Sequence, residues 1–179
     1  MKNVHSRELA ATPEQLRPWV EAAWSATSRD PFPRDVIRNW RKNPPGEDPQ
    51  ALVPGVTLVG HGPFTFRFQS WDGARWRVKV ETPGYPGWHG FDLEAAPRGC
   101  RITHTLELDL TPPRQLLWSV CFAAIHDWAV EAAFDRLEEA LRTRAMPAIT
   151  LRPLPWRGSA FLAAARSVRR RRPASRRAA

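Results

Sequence analysis

Three of the five histidines and the two cysteines are the residues best suited to chemistry in this chain. His104 lies within the run CRITHTLELDL at 100–110, where apolar and polar residues alternate. Its parity is that of Cys100, Ile102, Leu106, Leu108 and Leu110, so an imidazole is expected on the apolar side of a strand. Burial disfavours the charged imidazole, so His104 should be neutral at pH 7, able to donate to or accept from a ligand hydroxyl or carbonyl. His89 alternates with Phe91 and Leu93 and should face the same interior. His126 recurs with Ala123, Val130, Ala133, Leu137 and Leu141 at helical spacing, which directs it inward. These three are the candidate proton-transfer groups. Asp127 follows His126, but neighbouring helix positions point about 100° apart, so the two are not expected to act as a pair.

No metal site is expected. Cys100 and His104 lie four residues apart on a strand, about 13 Å of rise, and cannot share one ion. Cys121 with His126 adds no complete ligand set. Two cysteines are also too few for a disulfide framework. No GxSxG elbow, P-loop or dinucleotide fingerprint occurs, and no cofactor is expected. Gly60-His61-Gly62 lacks the following helix needed to cradle phosphate and reads as a turn.

The elements that must position these histidines follow from periodicity. Residues 3–10 are β-compatible. Thr12-Pro13-Glu14-Gln15 is a helix start with an approximate capping box, followed by Leu16, Trp19, Val20, Ala23 and Trp24 on one face. A second short helix is expected around 33–40, then a Pro-rich exposed loop over 41–54. From Val56 the period becomes two. Strands are expected at 56–59, 64–69, 75–81, 88–95 and 100–110, joined by short turns such as Asp72-Gly73, an antiparallel meander. Arg67, Arg75, Arg77, Lys79 and Glu81 share its polar side. A long helix runs from about Pro113 to Arg144, roughly 30 residues and about 45 Å, ending before Met146-Pro147.

The economical packing is α+β: a curved antiparallel sheet wrapped around the long C-terminal helix, the one element able to span it. This order resembles the helix-grip fold of the START/Bet v 1-like (SRPBCC) superfamily, in particular its bacterial polyketide cyclase/dehydrase-like branch. The resemblance rests on SRELAATPEQL near the start, the strand pair FTFRFQSWDGARWRVKV, and HDWAVEAAFDRLEEAL at 126–141. It covers about residues 3–144 and lies in element order and pattern. It implies an apolar ligand held between sheet and helix by a binder, a carrier or an enzyme. The chain carries nine tryptophans, and wide aromatic walls suit a ring-bearing or acyl ligand. Phe66, Trp76, Trp88, His89, Phe91, His104, Leu106, Trp118, His126 and Val130 are the expected contacts, with Trp128 also near the sheet–helix junction. The expected function is small apolar ligand binding. The rival is a cyclase or dehydratase using the cavity histidines.

Charge separates body from tail. The net charge is +9, yet nine arginines and no acid lie from Arg152 onward, leaving 18 charges of each sign before it. The domain is taken as 1–146, and 147–179 as an Arg-rich tail, poorly ordered or a short amphipathic helix. The tail could associate weakly with anionic membrane or nucleic acid; no specific protein partner is implied. The opening residues lack a secretory apolar core, and no run of about 18 apolar residues occurs. A bacterial cytoplasmic protein is expected, and the three lysines among 27 basic residues fit a GC-rich coding genome.

Overall fold

The computed structural model describes residues 1–23, 31–33, 39–48, 51–61, 64–147, 152–153 and 155. Strands β1 (Lys2–Leu9), β2 (Asn39–Lys42), β3 (Leu58–His61), β4 (Phe64–Trp71), β5 (Arg75–Val80), β6 (Gly87–Ala96) and β7 (Gly99–Leu108) form one sheet. Its order is β1-β7-β6-β5-β4-β3-β2, antiparallel throughout. The expected meander is therefore the centre of a larger sheet. The first strand closes one edge on β7, and the short β2 closes the other on β3.

Helix α1 (Pro13–Ala22) begins with the capping box that its sequence carries. The Thr12 hydroxyl accepts from the Gln15 amide, and the Gln15 side chain accepts from the Thr12 amide at 2.8 Å. Leu16 and Val20 are buried, and Trp19 packs against the core. The expected helix at 33–40 falls largely outside the described residues. Its end is corrected: Asn39 and Trp40 are strand, paired with His61 and Gly60. Arg41 and Lys42, expected in a loop, continue that strand. A Cβ at position 60 would collide with the Trp40 indole, so glycine there lets the ring cross the neighbouring strand.

One sheet face carries the core. Phe66, Phe68, Trp76, Val78, Val80, Phe91, Leu93, Cys100, Ile102, Leu106 and Leu108 are all buried in it, following the strand alternation. On the other face Arg67 pairs with Glu81 at 3.2 Å and Arg77 with Asp92 at 2.6 Å. The long C-terminal helix runs in three pieces, α2 (Pro112–Leu117), a π-helical turn (Trp118–Phe122) and α3 (Ala123–Thr143), of which the turn and α3 bury residues against the apolar face. Val130, Ala133, Phe134 and Leu137 of α3 join the core. Arg144 ends the helix in the left-handed conformation. An 18-residue window within Pro112–Thr143 has a mean hydropathy of 1.2, long and apolar enough to cross a membrane by length and composition alone, a test that core helices also meet; here its buried side packs on the sheet.

Polar contacts hold α3 along β1. Residues 3, 5 and 7 share one side of that strand, and Asp127, Glu131 and Asp135 recur every four residues on the helix. Asn3 donates to Asp127 at 2.9 Å. His5 meets Glu131 at 2.8 Å and Asp127 at 3.2 Å, and Arg7 donates to Glu131 and Asp135, each at 2.7 Å. Glu131 and Asp135 are thus drawn into a half-buried network. Arg152 also joins it, donating to Asp135 at 2.9 Å.

Candidate functional site

Strand register brings the first two histidines together. His89 is opposite Leu106, and His104 is opposite Phe91. The two imidazoles are therefore diagonal neighbours on one face, within reach of each other. Their Nε2 atoms are 2.6 Å apart, with both residues buried. Such a contact needs one nitrogen protonated and the other accepting. His126 reaches them from α3, its ring centroid 5.1 Å from that of His104 and 6.0 Å from that of His89. The expectation that it meets the sheet describes this placement.

His126 and Asp127 form no hydrogen bond with each other, yet their side chains lie close. His126 Nδ1 lies 3.6 Å from the Asp127 carboxylate, because Asp127 is turned toward β1 and the side chains converge there. Neither His126 nitrogen has a hydrogen-bond partner among the described residues. Burial pushes the His126 pKa below the usual imidazole range, so the ring is neutral at pH 7. His5 is shifted the other way: the bond to Asp127 outweighs burial and, with Glu131, raises its pKa. Burial alone would raise the Asp127 pKa, yet the nearby His126 ring and the bonds with His5 and Asn3 outweigh it and keep the carboxyl ionised.

A cavity of about 60 Å³ opens beside this cluster. Phe64, Phe66, Leu106, Trp118, Phe122 and Val130 supply its apolar wall, and His89 and His126 its titratable groups. Trp118 and Phe122 flank the π-helical turn and meet Phe64 at 5.9 and 5.3 Å between ring centroids. Insertions of this kind in helices are frequent at functional sites. Leu116, Leu117 and Val120 nearby are exposed.

Among the expected contacts, Phe66, His89, Leu106, Trp118, His126 and Val130 line the cavity. Trp76, Phe91 and His104 are buried behind it rather than among its lining residues; the Phe91 ring packs 5.0 Å from His104. Trp88 is corrected: it has the opposite parity to His89, and the Arg77 guanidinium sits 5.0 Å above its ring. Trp128 is corrected too. It belongs to a separate cluster with Ala129 and Ala132, and its indole donates to the Arg152 carbonyl at 3.1 Å. Sequence reasoning missed His5, Asn3 and the wall residues Phe64 and Phe122. The alternation of Asn3, His5 and Arg7 was visible in β1, but the acidic helix side opposite them was not.

Against known proteins, no family model matches the sequence, and no curated protein matches it. Solved structures do match in fold. A protein from Thermobifida fusca, solved by NMR, is 18% identical with a TM-score of 0.54, covering 78% of this chain and 94% of its own. A protein from Nitrosomonas europaea is 16% identical with a TM-score of 0.53, covering 80% and 96%. Ara h 8.0201 is 12% identical with a TM-score of 0.51, covering 80% and 98%. The fold is Bet v 1-like, a curved antiparallel sheet gripping a long C-terminal helix.

Proposed function

We propose that the chain binds a small apolar ligand carrying one polar group, seated between the sheet and the Trp118–Val130 stretch of the helix. The observation that carries this is the composition of the cavity: aromatic and aliphatic walls with His89 and His126 at one place. A neutral imidazole there can donate to or accept from a ligand hydroxyl or carbonyl, which fixes orientation while the walls supply affinity. Size decides how binding proceeds. A cavity of about 150 Å³ accepts benzene, and this one is about 60 Å³. A ring-bearing ligand therefore requires the wall to yield, and Trp118 and Phe122 on the π-helical turn are the side chains to move.

Thermal unfolding with naphthalene and with 2-naphthol tests this. A ligand present at 100 times its dissociation constant stabilises the fold by about 2.7 kcal/mol. Both compounds should raise the midpoint, and 2-naphthol should lose its advantage in His126→Phe, where the polar partner is replaced by a ring. No shift with either compound would refute the binding role.

A second reading is a cyclase or dehydratase acting on a polyketide-like substrate, as in the superfamily branch that the sequence resembles. It is favoured by the neutral His126 and the His89–His104 pair, which could take and return a proton beside the cavity. Water loss from a poly-β-ketone thioester, abolished in His126→Phe, would support that reaction; unchanged turnover in the variant would remove the histidine from it.

A further inference from the structure

Three imidazoles from three separate elements converge beside the cavity, and we propose that His89, His104 and His126 form a binding site for a divalent transition-metal ion. One ligand nitrogen from each lies within 4.8 Å of the other two. A four-coordinate zinc site with bonds of 2.0–2.1 Å places its nitrogens about 3.3 Å apart. The His89 and His104 nitrogens, now 2.6 Å apart, would open by about 0.7 Å as an ion replaces their shared proton. His126 would close on them.

The state of His126 is the second observation. Both its nitrogens are buried without a hydrogen-bond partner among the described residues, an arrangement that is ordinarily destabilising. A cation at the meeting point of the three rings satisfies one nitrogen directly. Asp127, 3.6 Å from Nδ1, leaves Nε2 as the coordinating atom and supplies the carboxylate that commonly orients a metal-bound histidine. Asn3 and His5 hold that carboxylate in turn.

Imidazole ligands suit zinc, copper, nickel or iron rather than calcium or magnesium. Because His89 and His126 also line the cavity, the fourth coordination position faces it, as in open rather than purely structural sites. The spacing argument against a metal was confined to ligands within one strand. The sheet and helix assemble a different set, three histidines from β6, β7 and α3.

The full-length chain, stripped with chelator, is titrated with Co²⁺ and Zn²⁺ in the absence of any organic ligand. The expected result is one equivalent of Co²⁺ per chain, visible as d–d absorption, displaced by Zn²⁺, with a raised unfolding midpoint. Asp127→Asn should weaken the ion by about 10–100-fold, and His104→Ala or His126→Gln by more; His61→Ala should leave binding unchanged. Circular dichroism identifies variants that fold, and His126→Gln, at the cavity wall, carries the test if His104→Ala does not. Less than one equivalent bound by the folded chain, or equal affinity in folded His126→Gln, overturns the site. The naphthol measurement on metal-free protein reads the apolar cavity separately, so failure of either proposal is distinguishable.

Discussion

Val130→Ile tests the cavity with one methylene. Val130 is buried on α3, one helical turn beyond His126, and lines the hollow. Isoleucine keeps the β-branch that helix rotamers already accommodate, so the added carbon extends into the space rather than into the backbone. Filling the whole 60 Å³ would gain at most about 1.4 kcal/mol at 24 cal/mol per Å³. One buried methylene contributes about 0.8 kcal/mol. The expected stabilisation is therefore about 0.5–1 kcal/mol, a rise of about 2–4 °C per kcal/mol in a domain of this size. Val130→Ala should cost about 2 kcal/mol or more as the hollow grows. Urea denaturation measures both as midpoint shifts at constant slope. In Val130→Ile the naphthalene response should also fall, because the methylene occupies ligand space. A loss of 1 kcal/mol or more in Val130→Ile would show overpacking, and with it the absence of the space from which ligand binding was argued.

Ile102→Ala should cost about 2–5 kcal/mol, since Ile102 is buried in the sheet core away from the cavity wall; a urea-derived loss below about 1 kcal/mol would contradict that placement. Thr12→Ala removes the hydroxyl half of the α1 capping box and should cost about 0.5–2 kcal/mol, read from the same denaturation curves. Burial raises the Asp135 carboxyl, but the bonds from Arg152 and Arg7 outweigh it and hold the pKa below 3.8. Its stabilising contribution is thus complete above the unfolded value and lost as pH falls through the lower folded one. Asp135→Asn should lower the urea midpoint at pH 7 and narrow the difference between pH 7 and pH 2; an unchanged pH dependence would refute the pairing.

Much of the fold was legible because binary patterning and local chemistry act over short range. Alternation in FTFRFQ, RWRVKV and CRITHTLELDL marks which side of each strand is apolar, and Thr12 to Gln15 marks the start of α1. The inward direction of His104, His89 and His126 follows from the same periodicities. Short β2 carried no such signal, since its four residues become strand by pairing with β3, a contact made 16 or more residues along the chain. Trp88 illustrates the opposite limit: its parity was readable, while its aromatic character suggested a ligand wall.

What the sequence alone determined is therefore the set of amphipathic elements and the side each buries, properties written into neighbouring residues by a period of 2 or 3.6. What only tertiary structure decided is the register of β6 on β7, which makes His89 and His104 diagonal neighbours, and the angle of α3, which brings His126 to them. It also decided that Asp127, Glu131 and Asp135 answer Asn3, His5 and Arg7 across more than 120 residues of chain. Distances between side chains on different elements depend on how whole surfaces pack, and no local pattern encodes them.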